Sequence, residues 1–270
     1  MKKQAGIIGW PVSHSLSPVL YKYWLKLYNI DGAYTAKEVK PEKLSGIMQF
    51  MQESNFIGFN ITVPHKEKII PLLDSIDTIA AAIGAVNTVV YKEGKWQGTN
   101  TDVAGFINYL KVCAPDIRTT RAVVLGGGGA ARAVIYALKQ MGFSNITLCN
   151  RTKDRATQLA EEFSVQQANW ESREKILQSV DLLVNTTTLG MEQKGPLEID
   201  LSALPQDATV YDIVYTPLNT ALLQQAERRG NNTVDGLGML LHQAVPAFEA
   251  WFGVRPEVDA ALGSYMRAQL

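Results

Sequence analysis

Two cysteines in 270 residues, Cys113 and Cys149, are too few for a disulfide scaffold. Both lie in runs that read as helix and strand, so reduced thiols without a catalytic role are expected. Histidine is scarce as well. His14, His65 and His242 show no HxxxH spacing and the cysteines no CxxC, so no metal site is expected. Excess charge is missing: 26 Lys plus Arg balance 26 Asp plus Glu. No basic run is interleaved with aromatics, which argues against nucleic acid or an anionic membrane as partner. No segment approaches the roughly 18 unbroken apolar residues of a membrane span. Gly6, Gly9 and Pro11 interrupt the first apolar run before it could serve as a signal-peptide core. A cytoplasmic protein with a small-molecule partner is the expectation. Repeats and low-complexity tracts are lacking too.

What is present is an ample apolar fraction, 46%, arranged as alternating strand and helix patterns. That alternation means an α/β fold. Ala5 to Gly9 reads as a buried strand, followed by a helix with Ser17 as N-cap and Pro18 at its first position. Its helical period runs through Val19, Leu20, Tyr23, Trp24, Leu27 and Tyr28. Next come a strand over 33–39, a helix over 42–52 with Leu44, Ile47, Met48 and Met51 inward, and a strand over 58–63. A helix entered at Pro64, a helix over 76–83 and a strand over 85–91 complete the first half. A second α/β run opens at Arg121. It reads as helix 129–141, strand 145–149, helix 152–163, strands 181–185 and 209–213, helix 220–229, and an apolar helix after Gly236-Leu237-Gly238-Met239.

Chemistry concentrates in a few places. Asn60-Ile61-Thr62-Val63-Pro64-His65-Lys66 puts Lys66 in the first turn of the helix expected at Pro64, where a cation opposes the helix dipole. A lysine so placed suits proton chemistry better than capping. That helix start would favour its neutral form and a nearby Asp102 its charged form. The plain alternative is a surface ion pair with Asp102 capping its own helix. His65 is read as packing. Ser15 and Ser17 are uncharged donors, of which capping explains Ser17 in part. Asn60, Thr62, Asn87 and Gln243 are polar residues beside apolar runs, where a buried amide needs partners, so structural networking is their rival reading.

In the second half, Val123-Val124-Leu125 runs into Gly126-Gly127-Gly128-Gly129-Ala130-Ala131, a Gly-x-Gly-x-x-Ala fingerprint between strand and helix. Gly126 permits the tight turn, Gly128 lets backbone reach a pyrophosphate, and a small third residue lets helix and strand approach. A glycine-rich turn without ligand is the alternative. NAD sites want an acid after the second strand for the ribose 2′-hydroxyl. This chain instead has Asn150-Arg151-Thr152-Lys153-Asp154-Arg155. Guanidinium groups pair with phosphate and stack on adenine, and two arginines at a helix start oppose its dipole unless an anion answers them.

Ser13-His14-Ser15-Leu16-Ser17-Pro18, the Asn60 to Lys66 run, Gly84-Ala85-Val86-Asn87-Thr88 and Gly98-Thr99-Asn100-Thr101-Asp102, in that order, resemble the substrate half of the shikimate dehydrogenase family. The resemblance covers nearly the whole chain. It implies an N-terminal α/β substrate domain over 1–103, a Rossmann-like NADP-binding domain over 104–236, and C-terminal helices over 237–270 packing back on the first domain. It implies reduction of 3-dehydroshikimate by NADPH in the cleft between domains, within aromatic amino acid biosynthesis, by a monomer or homodimer. Lys66 and Asp102 are the implied catalytic pair. Ser15, Ser17 and Tyr215 are implied for the substrate carboxylate, and Asn60, Thr62, Asn87 and Gln243 surround its ring hydroxyls or carboxylate. For the cofactor the implied set is Gly126, Gly127, Gly128, Gly129, Ala130, Asn150, Arg151, Thr152 and Arg155, with the backbone of Asp212, Ile213 and Gly236 near the nicotinamide. Asn185-Thr186-Thr187-Thr188-Leu189-Gly190-Met191 resembles the family's Asn-Ala-Thr-x-x-Gly loop and departs from it at Thr186 and Leu189. A quinate/shikimate dehydrogenase with relaxed NAD/NADP use is the closest alternative; a non-catalytic nucleotide sensor belongs to another class.

Overall fold

The computed structural model describes residues 2–192 and 194–270. They form two compact units. The first ends at Asp102 and resumes over Gln243–Gln269; the second holds Val103–His242 and Leu270.

The first unit is built on a six-stranded mixed sheet. Its elements are β1 (Lys3–Gly9), α1 (Ser17–Leu27), β2 (Gly32–Glu38), α2 (Ile47–Glu53), β3 (Phe56–Ile61), β4 (Ser75–Ile76), α3 (Thr78–Ile83), β5 (Thr88–Lys92) and β6 (Lys95–Thr99). Spatial order is β2-β1-β3-β5-β6-β4. β1 pairs in parallel with β2 and β3, whereas β3, β5 and β6 run antiparallel in succession. One face buries Ile8, Met51, Phe59, Ile61, Val89 and Trp96 in a common core.

Several local expectations are corrected. α1 turns Leu20, Tyr21, Trp24 and Leu25 inward and leaves Leu27 57% exposed. The helix is apolar on most of its circumference, so tertiary partners choose the face: Tyr21 stacks on Tyr34 at 3.9 Å and lies near Phe248 and Trp251. Ser17 is inside α1 rather than its cap, which is Leu16 without a side-chain hydrogen bond. The helix expected over 42–52 is a 3₁₀ segment, Pro41–Gly46, running into α2; Gly46 weakens a continuous α-helix there. Ile76 ends a strand, and Asp77 caps α3 by accepting from the Ala80 amide at 2.7 Å.

No α-helix forms at Pro64. The chain makes a single turn, with the Ile69 amide donating to the His65 carbonyl, and then a 3₁₀ turn over Ile70–Leu72. The Lys66 carbonyl, which a helix would use internally, instead accepts from the Val86 amide at 2.8 Å. Pro71 removes a further helical donor and disfavours α geometry at Ile70.

α4 (Asp102–Cys113) leads into the second unit, a parallel sheet of β7 (Arg121–Leu125), β8 (Asn145–Asn150), β9 (Gln166–Asn169), β10 (Leu182–Asn185), β11 (Thr209–Asp212) and β12 (Asn232–Val234). Three helices connect them: α5 (Gly129–Gln140), α6 (Lys153–Phe163) and α7 (Ala221–Arg229). Spatial order is β12-β11-β10-β7-β8-β9, the doubly wound dinucleotide-binding order with its switch point between β7 and β10. β7 and β10 are buried along most of their length, as parallel strands covered on both faces must be. β9 and β12 are not anticipated by periodicity: they are short, polar edge strands without an apolar run. α8 (Gly236–Phe252) carries the chain from the second unit into the first, where α9 (Ala260–Arg267) follows. There Trp251 donates its indole N–H to the Val89 carbonyl at 3.0 Å, and Tyr265 packs on Tyr23. Among the described residues, no helix is long and apolar enough to cross a membrane.

Candidate active site

In the first unit, the ammonium of Lys66 donates to Asp102 Oδ2. Side-chain exposure is 14% for Lys66 and 8% for Asp102, so this is not a surface pair. Nor does Asp102 cap α4. It is the first residue of that helix, and its own amide is held by Asn100 Oδ1 at 3.0 Å. The other carboxylate oxygen, Oδ1, accepts from Asn87 Nδ2 at 2.7 Å. With the expected helix at Pro64 absent, Lys66 does not lie in the first turn of a helix of its own; what positions it is a turn and the carboxylate of Asp102. Beside it, the His65 ring is buried, its Nε2 2.6 Å from the Val39 carbonyl.

Asn87, just before β5, is the hub. Its Nδ2 also reaches Thr101 Oγ1 at 3.0 Å and Gln243 Oε1 at 3.4 Å, and its Oδ1 accepts from the Thr101 amide at 2.8 Å and the Thr88 hydroxyl at 2.9 Å. Asn60 at the end of β3 is saturated. It accepts from the Tyr34 hydroxyl at 2.6 Å and the Tyr21 hydroxyl at 3.4 Å, and it donates to the Asn87 carbonyl and to Thr88 Oγ1. With both amide protons and its carbonyl committed, Asn60 braces the cluster rather than presenting free donors. Tyr21, Tyr34, Thr88 and Thr101 are members that pattern reading does not assign, because each looks like an ordinary core or strand residue until its hydroxyl finds an amide.

Ser15, just before the Leu16 cap, holds the start of α1: its Oγ accepts from the Ser17 amide at 3.3 Å, leaving its own proton to donate. Ser17 is buried on α1. Thr62 is half-buried, and its methyl fills the space beside Gly9, where a Cβ would come within 2.4 Å of it. Gln243 joins the hub through Thr101 as well, at 3.3 Å. Tyr215 belongs to the second unit, half-buried on the loop after β11.

In the second unit, β7 ends in the glycine turn. Gly126 has φ +115° and a Cβ there would strike Thr186, so glycine is required. Gly128 is the N-cap of α5, has no atom within 4 Å on its Cβ side, and receives no side-chain cap. First-turn amides of Gly129 and Ala130 are thereby left for an external acceptor beside a bare backbone, which fits a pyrophosphate. Ala131 is fully buried where α5 meets the sheet. Asn150 ends β8, donates to the Thr152 carbonyl at 3.0 Å, and packs so close to Gly127 that a Cβ there would touch it at 3.0 Å. Arg151 and Thr152 are exposed. Arg155 donates through Nε to the Gly127 carbonyl, tying α6 to the glycine turn. The exposed cation next to an uncapped helix start, with no acid at the end of β8, fits a phosphorylated ribose. Burial pushes the Cys149 thiol up to about 11, which leaves it unreactive.

On the other side of the switch point, the Ile213 amide donates to the Asn185 carbonyl at 3.1 Å. Gly236 lies against Ile213, where a Cβ would be 2.3 Å from its carbonyl oxygen. Two of the three residues expected near the nicotinamide, Ile213 and Gly236, are thus neighbours in space. Asn185 organises the loop after β10, accepting from the Thr187 amide and hydroxyl at 3.0 and 2.8 Å. The divergent Thr186 donates its hydroxyl to the Leu125 carbonyl at 2.7 Å.

Family profiles match three stretches of the chain. They are described as shikimate dehydrogenase substrate binding domain (residues 7–89), shikimate / quinate 5-dehydrogenase (109–192) and shikimate 5′-dehydrogenase C-terminal domain (236–262). A relative from Paramagnetospirillum magneticum, named shikimate dehydrogenase (NADP(+)), is 49% identical over 267 residues, 97% of each chain. Among solved structures, shikimate 5-dehydrogenase from Thermus thermophilus in complex with NADP(H) and shikimate has a TM-score of 0.88 at 36% identity, over 99% of this chain and 100% of that one. Quinate dehydrogenase from Corynebacterium glutamicum in complex with NAD has 0.89 at 31%, over 99% and 98%. Identity near one half along almost the full length, on a fold with the same pair of domains, admits one assignment: the chain belongs to the shikimate dehydrogenase family.

Proposed function

We propose that this protein catalyses the reversible reduction of 3-dehydroshikimate to shikimate with NADPH, in the route to chorismate and the aromatic amino acids. What carries the reading is the Lys66–Asp102 pair, largely buried and held by Asn87, in a chain whose relatives are named NADP-dependent shikimate dehydrogenases.

NADPH, when bound, supplies the hydride. Lys66 does the proton work. Its ammonium stabilises negative charge growing on the ketone oxygen and then donates a proton there; in the reverse direction the neutral amine accepts it. Asp102 orients the ammonium through Oδ2 and is itself oriented through Oδ1. Ser15, Ser17 and Tyr215 receive the substrate carboxylate as neutral donors. Thr62, Asn87 and Gln243 address the ring hydroxyls, and Asn60 supports them from behind. Residues 1–103 and 237–270 serve the substrate and 104–236 the cofactor, in which the glycine turn takes the pyrophosphate and Arg151 and Thr152 take the 2′-phosphate.

Quinate oxidation with relaxed cofactor use is the second reading, favoured by the likeness to a quinate dehydrogenase bound to NAD. Arg151 and the missing acid after Cys149 speak against it. Assaying shikimate and quinate, each with NADP and NAD, tests both. Shikimate with NADP should be the best pair by at least tenfold in kcat/KM, and no activity with shikimate would refute the proposal.

A further inference from the structure

The carboxylate of Asp212, at the end of β11, has no exposed surface and, among the described residues, no cation as a partner. Asn185 Nδ2 and the Val214 amide donate to its Oδ1 at 2.9 and 3.1 Å, and the Thr220 hydroxyl donates to its Oδ2 at 2.7 Å. All three donors are neutral. Desolvation outweighs them and pushes the carboxyl up to about 6. A buried charge so poorly compensated works against folding, and a neutral side chain of the same shape would serve the core better.

What the carboxylate accomplishes lies in the groups it joins. Asn185 shapes the loop after β10: besides its bonds to Thr187, its Nδ2 reaches the Leu189 carbonyl at 3.1 Å. Val214 follows Ile213, whose amide is held by Asn185 and whose carbonyl abuts Gly236. Thr186, next to Asn185, faces Gly126 of the phosphate turn. One carboxylate therefore clamps the loops after β10 and β11 to each other at the switch point, beside the glycine turn.

We propose that Asp212 is a positioning residue for the nicotinamide cofactor, its carboxylate holding the Asn185–Leu189 and Ile213–Tyr215 loops in their binding-competent arrangement at some loss of fold stability. Bonds to a carboxylate are roughly twice as strong as those to an amide. With the charge removed the loops loosen, and binding has to order them. The inference rests on the NADP reading above.

The test is Asp212→Asn, which keeps the shape and an Oδ1 acceptor while removing the charge, followed by NADP+ titration calorimetry and thermal unfolding of the ligand-free protein at pH 7.5. Expected are a Tm equal to or above that of the wild type and a Kd for NADP+ raised about three- to tenfold. A merely structural residue would lower Tm and affinity together, and that result, or an unchanged Kd, overturns the inference. Thr220→Val and Thr220→Ser keep it testable if Asp212→Asn does not fold. Valine should weaken NADP+ binding about two- to threefold and serine should restore it; equal affinities overturn it. Failure of the wild type to bind NADP+ would instead sink the cofactor reading, and this inference with it.

Discussion

The candidate binding residues of the two units are made ready in opposite ways. In the first unit, Asn60, Asn87, Thr88, Thr101, Asp102 and Gln243 are all buried and hold one another by side-chain hydrogen bonds. In the second, backbone does the work: a glycine at φ +115°, an open-sided Gly128, an uncapped helix and an exposed Arg151. A substrate told apart by hydroxyl positions needs donors and acceptors fixed in direction, which only an interlocked network supplies. A phosphate is met by amides and a cation with little angular demand. Substitutions in the network should therefore spread to several partners, whereas those in the cradle should stay local.

The largest effect belongs to Lys66→Ala. It should lower kcat by about 10² to 10⁴, the range for a positioned acid or base, with the NADP+ dissociation constant unchanged. Wild-type turnover in the folded variant would remove the chemistry from the first unit. Next is a matched pair. Asn87→Leu strands the Thr101 amide and one Asp102 oxygen, each worth about 1–3 kcal/mol when buried unpaired, so it should unfold at markedly lower temperature. Gly128→Ala should leave Tm unchanged and weaken NADP+, because the new methyl meets no protein atom and enters the space that the proposed reading gives to the pyrophosphate. Equal loss of Tm in both would erase the contrast between network and cradle.

Asp212 sharpens the comparison through pH. Its folded carboxyl sits at about 6 against the usual 3.8, so between those values the native state binds more protons than the unfolded one, and stability falls as pH rises. Denaturant titrations at pH 4.5 and 7.5 should show wild type losing ground to Asp212→Asn at the higher pH. At roughly 1.4 kcal/mol per unit the change between these two pH values has a ceiling of about 2 kcal/mol; the opposite sign would contradict the account.

Arg151→Ala comes after that. NADP should exceed NAD by at least tenfold in kcat/KM in the wild type, about 1.4 kcal/mol, and the variant should lose most of this by weakening NADP alone. A preference that survives would place the phosphate elsewhere. The smallest effects are those of Ser15→Ala and Tyr215→Phe, each removing a neutral donor worth about 0.5–1.5 kcal/mol. The methyl ester of shikimate should penalise the wild type more than either variant, and equal penalties would mean the carboxylate binds at other residues.

Much of this arrangement is legible in the chain itself. Alternating apolar runs mark both sheets, and the glycine fingerprint, standing after the strand Arg121–Leu125, locates the tight turn at Gly126 because backbone conformation there depends on the residue in place. Arg151 is visible for a similar reason: cation and missing acid are adjacent in sequence. Lys66 is found on a wrong premise. Its helix does not form, since its carbonyl is claimed by Val86, twenty residues away, and no local pattern announces that bond.

Local sequence thus determined strand and helix alternation, the glycine turn, and the choice of cation over acid after Cys149, and it singled out Lys66, whereas the pairing with Asp102 came with the family resemblance. Tertiary structure alone decided that α1 buries Tyr21 instead of Leu27, that Ser17 lies inside α1 with its amide held by Ser15, that Asn60 is fully spent on Tyr21, Tyr34, Asn87 and Thr88, and that Asp212 clamps two loops. The physical reason is one of range. Period and turn chemistry act over a few residues, whereas a buried polar side chain takes whatever partner the packed chain brings within about 3 Å; for Asn87 these include Asp102, 15 positions on, and Gln243, 156 positions on.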